Sequence, residues 1–207
     1  MVLNRRHFLG AAGAVGAAGA VGAAGAVGAA PHPAPATARS DHERFMAAAI
    51  EEGHRNERYP FGAVLVRSGE VVARGVNAAQ DGPTYHGEMV AIDDFGQPYG
   101  SPEWAGTSLY TTAEPCPMCM SACAWAGIGQ VVWATSIEGL RRAGLDQIDL
   151  SAVDVAKAAD SFYHPRLLLG GVLAAETDEL FRRAQVIRGG GGGPGDRAAT
   201  GPFGEGV

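Results

Sequence analysis

Four residues carry the chemistry that this chain's sequence advertises. His86 and Glu88 flank Gly87, and 28 residues after the glutamate come Pro115-Cys116-Pro117-Met118-Cys119. One imidazole and two thiolates are a ligand set for tetrahedral Zn²⁺ with the fourth position open. An open position admits water, and zinc lowers that water's pKa from about 15.7 to about 7. Glu88, two residues past the histidine, is placed to shuttle protons beside the metal rather than to bind it. The expectation is one zinc per domain, held by His86, Cys116 and Cys119. A redox C-x-x-C reading of the cysteine pair would leave His86 and Glu88 without a role. A closed structural site would need a fourth protein ligand. Cys123 follows Cys119 by four residues and reads as a buried small hydrophobe.

Both halves of the pattern fall at expected helix starts. Gly82-Pro83-Thr84 is a turn signal, and Met89-Val90-Ala91-Ile92 then runs apolar, which predicts His86 and Glu88 in a first helical turn. A strand over Ser108–Thr112 leads into the cysteines, and Pro117 suits the opening of a helix. Cys116 and Cys119 then lie one turn apart and point the same way. The helix dipole favours thiolate over thiol there.

The remaining elements follow from pattern. Ser40-Asp41-His42-Glu43 reads as a capping box opening a helix to about Arg55. Ala63–Arg67 and Val71–Val76 read as strands joined by a hairpin at Ser68-Gly69-Glu70. The first metal helix covers about Gly87–Phe95, and residues 97–106 read as loop. Gln130–Ala134 and Arg166–Leu169 are further strands. Short helices are expected over Ile137–Ala143 and Ala152–Ala159, and a closing helix over Ala174 to about Ala184. A hairpin followed by alternating strands and helices predicts an α/β domain, with helices on both faces of a mixed sheet.

The 207 residues divide unequally. Residues 1–38 read as an export signal: Asn4-Arg5-Arg6-His7-Phe8-Leu9 is a twin-arginine pattern, followed by repeated Ala-Ala-Gly-Ala-Val-Gly and an Ala36-Thr37-Ala38 end. The expected destination is periplasmic or extracellular, or membrane-anchored where the signal stays uncleaved, with the twin-arginine machinery as a partner of the precursor. Residues 39–188 are the expected folded domain. Residues 189–207 open with five glycines and read as a disordered tail. The net charge of −6 falls further once Arg5 and Arg6 are removed. No basic cluster stands out, so no strong nucleic-acid binding is expected.

The blocks Pro60-Phe61-Gly62-Ala63-Val64, Asn77, Pro83-Thr84-Tyr85-His86-Gly87-Glu88 and Thr112-Ala113-Glu114-Pro115-Cys116-Pro117-Met118-Cys119 resemble the cytidine deaminase-like superfamily, whose signature is H-x-E … P-C-x-x-C. The similarity spans about Arg44–Ala184 and is nearest to bacterial guanine deaminases and tRNA adenosine deaminases. It implies a three-layer α/β/α sandwich around a five-stranded mixed sheet, and usually a homodimer. It implies hydrolytic loss of ammonia from a free base or nucleoside, with Glu88 as the proton shuttle. The alternatives are a tRNA-editing enzyme of the same chemistry, or a non-enzymatic zinc or redox module. By the same resemblance Asn77 contacts the substrate, Phe61 packs on its ring, and Gly87 presents its backbone N–H. Gly87 stands where the family commonly has alanine, a mild departure. Ala143-Gly144-Leu145-Asp146 is closer to the guanine enzymes, and Asp146 joins the substrate-binding set. Those enzymes typically have a second acid next, whereas this chain has Gln147. An amide both donates and accepts, while a carboxylate only accepts, so adenine, cytosine, an s-triazine or a nucleoside stay open beside a purine such as guanine, which the Asp146 segment favours. Tyr85, Trp104 and Trp133 are further aromatic candidates for stacking or for core.

Overall fold

The hairpin sets the frame of the sheet. In the computed structural model, which describes residues 36–99 and 104–190, strands β1 (Gly62–Arg67) and β2 (Glu70–Val76) pair antiparallel, with Arg67 opposite Glu70. Ser68 and Gly69 turn between them with φ of 52° and 79°. Two consecutive positive φ values are what a two-residue hairpin of matching twist requires, and glycine supplies one without strain. The twin-arginine segment and the tail beyond Gly190 lie outside the described residues.

Three more strands complete the sheet: β3 (Thr107–Ala113), β4 (Gln130–Thr135) and β5 (Leu167–Leu169). Their order is β2-β1-β3-β4-β5. β3 runs antiparallel to β1 but parallel to β4, and β4 is parallel to β5. The helices are α1 (Ala36–Gly53), α2 (Gly87–Tyr99), α3 (Pro117–Ala126), α4 (Ile137–Arg142), α5 (Ala152–Ala158) and α6 (Ala174–Gly190). This is the expected five-stranded mixed sheet of the cytidine deaminase-like fold.

Strand alternation divides the core. Val64, Val66, Tyr110, Val132 and Ala134 face α1, where Phe45, Met46, Ala49 and Ile50 pack. Ala63, Leu65, Leu109, Val131 and Trp133 face the opposite layer, against Phe95 of α2, Met120 and Cys123 of α3, and Val155 and Ala156 of α5. Each large side chain buried this way contributes about 1.5–3 kcal/mol. Trp133 is therefore a core residue, 7% exposed, and Trp104 is partly buried against the same core, where it meets Phe95 edge-on at 4.9 Å. Tyr85 is half exposed.

Some boundaries depart from the sequence reading. α1 begins at Ala36, so Ser40 lies inside the helix instead of capping it. Ala36-Thr37-Ala38 continues the helix upstream, alanine being the best helix former. α2 continues to Tyr99, taking in part of the expected loop, and a short 3₁₀ turn covers Trp104–Gly106. α6 runs on to Gly190, well beyond Ala184. Its later turns are held by Arg188, which donates to the Arg58 carbonyl at 2.7 Å and lies over the Tyr59 ring.

Candidate metal centre

Two helix starts meet at one point. His86 sits at the residue before α2, which starts at Gly87 as expected, and its carbonyl accepts the Val90 N–H at 2.9 Å. Cys116 occupies the same position before α3, in extended conformation, with Pro117 following; its carbonyl accepts the Met120 N–H at 2.8 Å. Cys119 lies one turn on, fully buried. The two helices follow β2 and β3, and the antiparallel pairs β1–β2 and β1–β3 bring their starts together although 30 residues separate His86 from Cys116.

The donor atoms form a near-regular triangle. His86 Nδ1 is 3.6 Å from each sulfur, and the sulfurs are 3.7 Å apart. Tetrahedral bonds of about 2.3 Å to sulfur and about 2.0–2.1 Å to nitrogen separate such ligands by about 3.8 Å (S–S) and about 3.5 Å (S–N). The fit to zinc thus rests on spacing as well as on donor type. Among the described residues these three form the one group of His, Cys, Asp or Glu able to hold a metal.

The electrostatics suit that ion. Interaction with the Cys119 thiol pulls Cys116 down to about 4, with help from His86, while contact with Cys116 and burial push Cys119 well above the ordinary thiol range. Contact with Cys116 raises His86. Glu88 is 3% exposed, and burial raises its carboxyl above the ordinary range, with the charge of Cys116 adding to the effect. A raised carboxyl pKa is the direction that general acid–base work calls for. Cys123 is fully buried, as expected of a core residue.

Around the triangle the structure gathers Phe61, Gly87 and Asn77. The Phe61 carbonyl accepts the Asn77 N–H at 2.9 Å. A Cβ built on Gly87 would lie 2.4 Å from that same oxygen. The backbone approach at Gly87 is therefore closer than an alanine tolerates, so this departure is not mild in this chain. The Phe61 ring stacks obliquely on Phe181 of α6 at 4.8 Å. Asn77 is 7% exposed, and its Oδ1 accepts the Ala79 N–H at 3.2 Å, which leaves the side-chain NH₂ as its outward donor. Asp146 is exposed, in the loop after α4, and stands apart from the metal donors.

Three positioning side chains have no role in the sequence reading: Thr112 and Glu114 stand only within a family block, and Asn56 carries no signal. Asn56 donates to the Asn77 carbonyl at 2.9 Å and accepts the Tyr59 N–H at 3.1 Å, tying the loop before β1 to the end of β2. Thr112 Oγ1 donates to the Pro60 carbonyl at 3.0 Å and accepts the Gly62 N–H at 3.1 Å, which fixes Phe61 between them. Glu114 is buried, and its carboxylate accepts the backbone N–H groups of Ile137 and Ala152.

Comparison with known proteins agrees with this geometry. Residues 39–135 match the cytidine and deoxycytidylate deaminase zinc-binding region, and residues 2–22 match the twin-arginine translocation signal. Among the described residues no helix is long and apolar enough to cross a membrane. Guanine deaminase of Bacillus subtilis (strain 168) is 35% identical over 112 residues, which are 51% of this chain and 72% of that enzyme. The tRNA-specific adenosine deaminase of the same organism is 38% identical over 96 residues, 44% of this chain and 60% of that one. The chloroplastic tRNA(adenine(34)) deaminase of Arabidopsis thaliana is 38% identical over 103 residues, 47% of this chain but 8% of its own length. Among solved structures, one from a study of tRNA:A34 deaminases superposes with a TM-score of 0.56 at 26% identity, covering 66% of this chain and 98% of that one. A guanine deaminase from Nitrosomonas europaea shares the fold, with a TM-score of 0.56 at 21% identity over 78% of this chain and the whole of that one. A donor triangle sized for zinc and 35% identity across nearly three quarters of a bacterial guanine deaminase lead to one assignment: this chain belongs to the zinc-binding cytidine and deoxycytidylate deaminase family.

Proposed function

We propose that this protein deaminates a free nucleobase or nucleoside hydrolytically, a purine such as guanine being favoured. The observation that carries the reading is Glu88, a carboxyl buried to 3% exposure beside a three-ligand donor set. Bound zinc would supply the acidity that makes a water nucleophilic at neutral pH. Glu88 accepts the proton that this water loses. It returns that proton to the ring nitrogen, then takes the remaining hydroxyl proton and delivers it to the departing amine. The amine-bearing carbon gains oxygen and becomes a carbonyl, and ammonia leaves. The NH₂ of Asn77 and the backbone N–H of Gly87 are the donors we assign to the base, with the Phe61 ring against its plane and Asp146 reading its edge.

A small substrate is supported by the charge pattern. Arg44, Arg55, Arg74, Arg141, Arg142, Lys157, Arg182 and Arg183 are each paired with a carboxylate. A polynucleotide channel needs cations free to neutralise phosphates. The catalytic unit is residues 39–188, working as a homodimer and delivered by the twin-arginine route to the periplasm or the exterior. The second reading, tRNA editing, draws on the relatives of that name at 38% identity.

The test is ammonia release from a panel of guanine, adenine, cytosine, an s-triazine and the corresponding nucleosides, by wild type and Glu88→Ala. Turnover that vanishes in the variant while zinc stays bound supports the reading. Zinc-loaded wild type that releases no ammonia from any of them refutes it. Salt-sensitive tRNA binding with inosine formation would favour the second reading.

A further inference from the structure

Glu114 is 8% exposed and directly precedes Pro115 and the metal ligand Cys116. Its own N–H donates to the Thr135 carbonyl at 2.7 Å, which extends the β3–β4 pairing. Its side chain reaches two other elements. Oε2 accepts the Ile137 N–H and Oε1 accepts the Ala152 N–H, both at 2.9 Å. These are the first residues of α4 and α5. Each helix already has its own serine cap: Ser136 Oγ accepts from Gly139 at 3.0 Å, and Ser151 Oγ accepts from Asp154 at 3.1 Å. The carboxylate is therefore additional to ordinary capping, and it joins two helices where a cap serves one.

Between those two amides the chain makes an excursion through Gly144-Leu145-Asp146-Gln147. Leu145 turns inward and packs with Ala113, Leu140 and Phe181, in the cluster that Phe61 also touches. Arg141 and Asp149 brace the excursion across its width at 2.6 Å. Both of its ends thus hang from one carboxylate, two residues from a metal ligand, while its middle rests beside the ring expected to face the base.

We propose that Glu114 is a positioning residue that holds the 143–150 segment in register with the metal centre, and so sets how tightly substrate binds without taking part in metal binding. The proposal rests on the deaminase reading above. A carboxylate suits the task because its two oxygens accept from two amides at once, and bonds to an ionised acceptor are the stronger kind. Glutamine at this position keeps the shape but turns one oxygen into an NH₂ that faces an N–H.

The experiment compares Glu114→Gln and Glu114→Asp with the cap variants Ser136→Ala and Ser151→Ala in the full zinc-loaded protein. Zinc content, KM, kcat and amide hydrogen exchange are read for each. Glu114→Gln should keep one zinc per chain and hold kcat within about threefold. Its KM should rise about tenfold, the size of one charge-assisted hydrogen bond. Exchange should quicken across 143–150. Glu114→Asp, which keeps both oxygens, should recover part of the KM; if Glu114→Gln does not fold, the aspartate variant carries the comparison. The serine variants should lower thermal stability and leave KM within about twofold, because their caps do not reach the metal loop. Unchanged KM, loss of zinc, or an equal KM rise in the serine variants would overturn the proposal. Should wild type release no ammonia from the panel, the deaminase reading fails by itself, and exchange then decides the tie. Faster exchange throughout 143–150 supports it. A change confined to Ile137 and Ala152 overturns it.

Discussion

Replacing Gly87 by alanine adds one carbon at a close backbone contact beside the candidate metal centre. The new Cβ would lie 2.4 Å from the Phe61 carbonyl oxygen, 3.1 Å from its carbon and 3.3 Å from the Gly75 oxygen. All three are backbone atoms, so no side chain can swing aside. Reaching even a 3.0 Å separation moves α2 and the Phe61 backbone, just before β1, apart by about 0.6 Å. Overpacking of this kind costs about 1–3 kcal/mol, and in a domain of this size each kcal/mol lowers Tm by about 2–4 °C. The displacement falls where it matters, because Gly87 lies between His86 and Glu88, and the Phe61 oxygen also receives the Asn77 N–H. A shift approaching 1 Å costs about a hundredfold in rate, so we expect kcat/KM to fall about tenfold or more. Gly96→Ala is the control: it lies in the same helix, and its Cβ would meet nothing nearer than Trp104 at 3.8 Å. Thermal melts and ammonia release on zinc-loaded proteins measure both effects. If Gly87→Ala melts and turns over like wild type, α2 adjusts freely and the close-approach argument is wrong.

Glu88→Gln should lower ammonia release at least about a hundredfold, the usual scale of a lost acid–base group, with zinc retained on metal analysis. Because burial raises the Glu88 pKa, folding of the wild type weakens as pH rises through that value. Melts of metal-free protein should show the glutamine variant gaining on wild type toward alkaline pH. Cys116→Ser should leave the purified protein nearly free of zinc, and chelating wild type should lower Tm, because a ligand at about a hundred times its Kd contributes about 2.7 kcal/mol. Burial holds Tyr110 up at about 12 and also raises Tyr163. Their contribution to stability is complete below about pH 10 and is lost as pH climbs through the folded-state values. Phenolate absorbance of the folded protein should show Tyr110 and Tyr163 ionising only at strongly alkaline pH; their ionisation at about pH 10 in folded protein would contradict the packing.

The metal donors were readable from sequence because metal chemistry restricts residue type and local spacing together. An imidazole, two thiolates one turn apart and a proline at a helix start leave few alternatives. Short continuous apolar runs likewise identified β1 and β4, since strands covered on both faces read that way. Long-range ties left no such trace. Glu114 reaches amides 23 and 38 residues away, and a glutamate before a proline looks the same in sequence whether it is solvated or buried. Asn56 is equally silent, because its partner is the backbone of Asn77. Helix ends were the weakest readings: α6 outlasts its inward apolar residues because Arg188 finds a carbonyl and a ring, and the helical start at Ala36 hid behind a composition that also resembles a signal peptide.

The donor triangle draws on two helices that follow different strands, β2 and β3, with β1 lying between those strands in the sheet. No short stretch of unfolded chain can present all three atoms together, so tight capture of the ion waits for the sheet to assemble. A twin-arginine leader hands over cargo already in its final shape. The ion found in the mature enzyme would then have been chosen from the cytoplasmic supply, making its identity a record of where the chain matured and not of where it works.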